Sequence, residues 1–505
     1  MNTAIKTSAI LVSVFLVAFC GAPPLHAHVG SPDVYVQGDA GPYKLFATVR
    51  PPVVIPGVAE IEVRLAAPGV SYIDATPMPL TGEASKHPPV PEALKQSPAD
   101  PQFYTGALWI MTSDSWQIRF TVSGNQGSRV LSIPLPATAS MANPMRPGLA
   151  VFLSVLGPFL VLGIIGIVGA GREAMLPAGT ILHAGRRRPA TTSMTVAFGL
   201  IVLALYFANM WWKSDAASYA NNVYKPLIMQ AVLRNGTGGE NPGLDLKLTD
   251  PGWLQNRKID DLLLDHDHLM HLYLLRQPGL DVIYHLHPDR TGPGEFKLSL
   301  PSIPAGKYSL YADIVHATGF PETLIASLTL PEIHARQLFG DDAKGTADPM
   351  TVTDRPCGAG AAQDSFKFPD GFTMVWDRPR TVHAKQAQVF QFRLLDPAGN
   401  PPKDMSLYMG MQGHAAFVKS DGSVFAHLHP SGSASMAAMM IAADENAESG
   451  DSMAGMIGME MAGAVPNTVG FPYGFPTAGT YRLFVQMKHG ETIETGIFDV
   501  LVLFP

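Results

Sequence analysis

The chain has 505 residues, a formal net charge of −7 and 47% apolar residues, enough for about three domains at the usual ~100–200 residues each, and it leaves no basic footprint for nucleic acid. Its 48 glycines and 44 prolines suit turn-rich β-structure better than a helical protein. Only Cys20 and Cys357 are present; with the first in a leader, a disulfide-held fold is excluded.

Residues 1–27 read as a secretory signal: Lys6 in a short polar head, an apolar run from Ala9 to Phe19, and Ala27 at the cleavage point. Cleavage there makes His28 the first residue, whose α-amino group and imidazole form a copper(II) chelate. Lipidation at Cys20 is the rival, but Phe19 is bulky for the position before it. Residues 28–145 are expected to form one periplasmic β-sandwich, with alternating strands at Tyr43–Val49, Ala59–Leu65, Phe103–Met111 and Ser115–Val122. Met78, His87 and Met111 are scattered through it and read as packing or loop residues rather than ligands.

Residues 146–213 hold two transmembrane helices. Gly148–Ala170 and Ala190–Trp212 are each free of charge over 23 residues, long enough to cross a hydrocarbon core of about 30 Å. The link between them carries Arg172, Arg186, Arg187 and Arg188 against Glu173, which places it in the cytoplasm and both flanking regions outside. Neither span contains an ionisable residue, so both read as anchors.

Residues 214–335 and 365–505 form a duplicated domain. In the first copy, residues 265–288 read DHDHLMHLYLLRQPGLDVIYHLHP; in the second, 408–430 read YMGMQGHAAFVKSDGSVFAHLHP. Asp421-Gly422 predicts a type I′ hairpin turn, which sets Ala416 opposite His427 and His414 opposite His429. Alternation then puts His414, His427 and His429 on one face and Ala415, Phe417, Val424, Ala426 and Leu428 on the other. His271, His285 and His287 are their counterparts in the first copy. AGKYSLYADIVH (305–316) aligns without a gap on AGTYRLFVQMKH (478–489), equating His316 with His489, and His266 and His268 fall on Met409 and Met411. Opposed Cβ atoms of a strand pair lie about 5 Å apart, so several imidazoles can converge on one ion. The His/His pair beside Asp265 and Asp267 favours copper(II), the Met/Met pair copper(I).

Residues 336–364, small, polar and aperiodic, read as a linker holding Cys357. An insertion between Ser431 and Pro466 places Met436, Met439, Met440, Met453, Met456, Met459 and Met461 within 26 residues. Interleaved with Gly, Ser, Asp and Glu, these methionines read as a soft ligand set for copper(I). The bland alternative is a flap whose methionines cover the sandwich.

GPYKLFATVRPP, GVAEIEVRL and the aromatic SWQIRF strand resemble the FixH-like and YtkA-like periplasmic domains. The duplicated copies resemble the YtkA-like and CopC-like folds of copper-resistance proteins. The resemblance implies a mainly β chain of three immunoglobulin-like β-sandwich domains with two transmembrane helices. It also implies periplasmic copper storage, tolerance or delivery to a copper transporter or an oxidase under assembly. Copper(I) would be caught by the methionine loop with Met409 and Met411 and held by His414, His427, His429 and His489, with His316 as the analogous outer ligand of the first copy. Zinc is the less favoured ion. The alternatives are a copper- or iron-dependent oxidase-type enzyme and a metal-free envelope scaffold.

Overall fold

A computed structural model describes residues 32–140, 147–173, 177, 179, 187–236, 241–253, 257–350, 364–444 and 464–505. The chain is mainly β, with 48% strand and 17% helix. Its sheets pair two and two across three hydrophobic cores. The first pair sets Val34–Ala40, Tyr43–Arg50, Gly57–Leu65 and Phe103–Ile110 against Val70–Pro79, Asp114–Gly124 and Gly127–Ala137. The alternation of GVAEIEVRL explains the packing: Ala59, Ile61, Val63 and Leu65 are buried while Glu60 and Arg64 are exposed, so one face of the strand enters the core and the other meets water.

The two stretches matched in the sequence lie in sheets of like strand order. In the first copy His271–Gln277 lies between Val282–Leu286 and Gly306–Val315; in the second His414–Lys419 lies between Phe425–Leu428 and Gly479–His489. Each of these sheets covers a core shared with a second sheet, built on Gly243–Thr249 in one copy and Gln388–Leu395 in the other. Their other faces pack on each other: Tyr273, Leu275 and Ile283 meet Ala416, Val418 and Phe484, and Tyr311 stacks on Phe425 with centroids 4.4 Å apart. Both faces of each sheet are therefore buried.

The first sheet pair is sewn to the second copy. Val36 bridges to Gly432, the Gln37 N–H donates to Ser431 O at 2.8 Å, and the Ser433 N–H donates to Tyr35 O at 2.9 Å. Gly432 takes φ 135°, and a Cβ there would stand 1.8 Å from Tyr35 O, so only glycine lets the two backbones approach.

Helices α1 (Pro147–Glu173) and α2 (Arg187–Asn222) are the two long apolar ones. Their most apolar stretches have 0% and 6% of residues buried among the described residues, and both are long and apolar enough to cross a membrane.

Two expectations need correcting. The segment 336–364 is not all linker, because Ala343–Thr346 joins the sheet of the first copy beside Val282–Leu286. The turn at Asp421-Gly422 is not type I′, since only Gly422 takes positive φ. Asp421 instead accepts hydrogen bonds from the Ser423 N–H and hydroxyl, an Asx arrangement that leaves Ala416 facing His427 as the sequence implied. The insertion opens with a helix, α3 (Met436–Asp444).

Candidate metal centre

Each hairpin delivers its histidines to one face, and the two faces are turned toward each other. Eight histidines thereby form one group between the copies. His271, His285 and His287 have ligand atoms within 4.8 Å of one another, as do His266, His414 and His429. The second triad crosses the boundary: His266 comes from the first copy, His414 and His429 from the second. His427 joins the two triads, with ring centroids 4.6 Å from His429 and 5.3 Å from His271. His268 stacks on His287 at 3.8 Å.

His266 reaches across because of a tight turn. Asp265 and His268 exchange backbone hydrogen bonds of 2.8 and 3.1 Å, and Tyr408 and Met411 make the same pair at 2.8 and 3.0 Å. His266 and Met409 thus hold equivalent places, both at positive φ, and His266 Nδ1 lies 2.9 Å from Met409 O.

Electrostatically, seven of these rings are held toward the neutral form. Burial, reinforced by neighbouring imidazoles, holds His271, His285, His414 and His429 well below the usual histidine range. Burial likewise lowers His427 to about 3, and it lowers His287 and His266. A neutral imidazole keeps the lone pair that a metal ion takes up. Some rings are oriented by partners: His271 Nε2 lies 2.9 Å from Asp265 O and its Nδ1 3.1 Å from His285 Nε2. His285 Nδ1 faces Gln486 Oε1 at 3.0 Å, and His287 Nδ1 faces Asp342 at 3.5 Å. His427 Nδ1 lies 3.2 Å from Asp313, whose carboxyl burial pushes up to about 7. Six ring nitrogens are buried with no hydrogen-bond partner: Nε2 of His266, His287, His427 and His429, and both nitrogens of His414.

A cavity of about 160 Å³ opens beside this group, lined by His427 and His429, by Asp265 and Asp313, and by residues of the first sheet pair such as Asp33 and Pro134.

Not every anticipated ligand comes to this place. His316 sits between Asp261 (2.9 Å) and Glu322 (3.1 Å). Burial opposes its charge, but those two carboxylates outweigh it and raise its pKa. Glu322 also binds Arg257 at 2.7 Å and the Tyr224 hydroxyl at 2.9 Å. Beside them the Trp253 indole donates to Asn222 O at the end of α2. His316 therefore belongs to an ionic knot that ties the first copy to the helix. His489 is likewise apart, beside Asp370, Asp404 and Glu494. Met409 packs with Ala343 and Tyr408, and Met411 packs against the core of the first sheet pair. Met436 and Met439 lie within that same core, while Met440 is exposed. These methionines pack because α3 lies on the first sheet pair, with Asp265 capping it through the Ala437 N–H at 2.8 Å. Asp267 is exposed. Met453, Met456, Met459, Met461, Cys357 and His28 lie outside the described residues.

Sequence reasoning missed Gln486, Tyr273, Tyr408 and Asp313. Tyr273, which stacks on His285 at 4.1 Å, was within reach, being two residues from His271 on the same strand face. The other three come from separate strands and loops, and no local pattern points to them.

A family model described as "Domain of unknown function (DUF8832)" matches residues 367–503, the second copy. No curated protein matches the chain. Among solved structures, the chain is similar to dimeric latent PorU from Porphyromonas gingivalis, with 7% identity and TM-score 0.14, covering 94% of this chain and 34% of that one. Trypsin-activated alpha-2-macroglobulin from Escherichia coli matches at 8% identity and TM-score 0.17, covering 96% of this chain and 24% of that one. The chain thus spans about a third and a quarter of these proteins. An ICAM-5 D1–D4 ectodomain fragment matches at 8% and 0.15, covering 91% and 77%. TM-scores this low carry no argument about fold or function.

Proposed function

We propose that the chain is a membrane-anchored copper-binding protein, made of three immunoglobulin-like sandwiches held on the outer face of the inner membrane, that stores copper or passes it to a transporter or an oxidase under assembly. The observation that carries this reading is the set of six buried, unpartnered imidazole nitrogens on five neighbouring histidines. Each buried polar group left without a partner costs about 1–3 kcal/mol. A fold that gathers six of them among neutral rings fits a bound cation as the missing partner.

The donor set also bears on the ion. His266, His414 and His429 offer three nitrogens with no carboxylate among them, a set suited to copper, zinc or nickel, of which copper(II) binds most tightly in the divalent series. In this reading His266, His414 and His429 hold one ion, His271, His285 and His287 hold a second, and His427 lies between them. The cavity beside His427 and His429 gives the ion its way in, past Asp265 and Asp313. Methionines 436 and 439, being core residues, take no part. Delivery by the rest of the methionine loop belongs to the same proposal.

The test is metal analysis of the full chain in detergent after loading with copper or zinc and exhaustive dialysis, with electron paramagnetic resonance of the copper(II) form. Bound copper with several nitrogen couplings, lost in a His266→Ala/His414→Ala/His429→Ala variant, is the expected result. Protein that holds no stoichiometric copper, or a triple variant that holds as much as the parent, removes the proposal. The cavity favours a second reading, an oxidase-type centre open to a small substrate; oxygen consumption by the copper-loaded protein with a reductant separates it from simple binding.

A further inference from the structure

The Asp370, His489 and Glu494 group stands apart from the imidazole cluster, and the duplication itself shows what it lacks. In the first copy Leu262 bridges to His316 and Ile314 pairs with Glu322. In the second, Met405 pairs with His489 and Met487 with Glu494. Each histidine therefore has a glutamate from the next strand, opposite the residue two positions before it. Each also has an aspartate just before its bridging partner: Asp261 lies 2.9 Å from His316 Nδ1 and Asp404 lies 3.4 Å from His489 Nδ1.

The copies part at the third place. In the first copy the Arg257 guanidinium pairs with Glu322 at 2.7 Å and with Asp250 at 2.5 Å, so the buried negative charge meets a fixed cation. In the second copy that role falls to another acid. His489 Nε2 faces Asp370 at 3.8 Å and Glu494 at 3.7 Å. Among the described residues no Lys or Arg forms an ion pair with Asp370, Asp404 or Glu494. His489 and Glu494 are each 7% exposed, and His489 Nε2 is buried without a hydrogen-bond partner. Phe372 stacks on the imidazole at 3.9 Å and fixes its plane.

From this arrangement we infer that Asp370, His489 and Glu494 form a further site, independent of the histidine cluster, for a divalent cation of the zinc or manganese type. The three ligand atoms lie within 4.8 Å of one another, and separations of 3.7–3.8 Å suit two ligands each about 2.0–2.2 Å from a common ion. One imidazole with two carboxylates is a harder donor set than the all-imidazole cluster, so this site takes a divalent ion and not copper(I). Asp404 holds Nδ1, which leaves Nε2 for the ion. The ion does in the second copy what Arg257 does in the first.

Equilibrium dialysis of the full chain in detergent against zinc(II) tests this. Asp370→Asn, at an exposed position, and Glu494→Gln should each lose one bound ion or weaken it at least tenfold. His414→Leu should keep that ion whatever it does to the cluster. Unchanged zinc binding in both Asp370→Asn and Glu494→Gln overturns the inference, and loss of the same ion in His414→Leu assigns it to the cluster instead. Because the two sites share no residue, failure here leaves the cluster proposal standing, and the reverse.

Discussion

Replacing His414 by leucine separates a ring kept for binding from a ring kept for packing. The imidazole is fully buried and neither of its nitrogens has a hydrogen-bond partner. Leucine fills nearly the same volume and leaves nothing unsatisfied. Removing a buried group that costs about 1–3 kcal/mol should make the metal-free protein more stable by about that amount at pH 7.5. At about 2–4 °C per kcal/mol for units of this size, the melting temperature should rise by several degrees.

Acidification should widen the gap. Burial, with the neighbouring His266, His429 and His427 rings, holds His414 well below the ordinary value of 6.5. Its contribution is therefore present above about pH 6.5 and is lost as pH falls, because the unfolded chain takes up a proton that the folded one refuses. Between pH 7.5 and 5.5 this costs the parent on the order of 1 kcal/mol that the variant does not lose. Calorimetry of chelator-treated protein at both pH values reads the difference. A variant less stable than the parent by 2 kcal/mol or more, or a gap independent of pH, would refute the reasoning and make His414 a structural residue. The rise in melting temperature caused by copper should be smaller in the variant.

His316→Gln should leave copper binding unchanged while lowering stability. Because the His316 pKa is raised, its contribution is complete below pH 6.5 and fades as pH rises through the folded value. The variant's deficit in thermal unfolding should thus be larger at pH 6 than at pH 9. Met436→Leu and Met439→Leu together should keep copper stoichiometry in dialysis and change stability by less than about 1.5 kcal/mol each, as volume-conserving core changes do; loss of copper would return them to the ligand set. Gly432→Ala should cost about 2 kcal/mol or more, since a Cβ collides with Tyr35 O at 1.8 Å in a backbone conformation that suits glycine. Limited proteolysis should then cut more readily between the first sheet pair and the second copy, and an unchanged digestion pattern would deny that this seam holds them together.

The sequence by itself determined the hairpin register of the second copy and the shared face of each histidine trio, because side-chain alternation and turn position are local. It also determined the two apolar helices, which are read from residue order and hydropathy alone. Only the tertiary structure decided that the two histidine faces meet, that His266 crosses to join His414 and His429, and that His316 and His489 stay out. Those outcomes depend on how two sheets, buried on both faces, pack against each other, and hydrophobic burial is non-directional: it requires that their apolar residues be covered without specifying by what. The methionines show the same limit. Met436 and Met439 carry soft sulfur in any setting, and only the docking of their helix on a neighbouring sheet pair made them core.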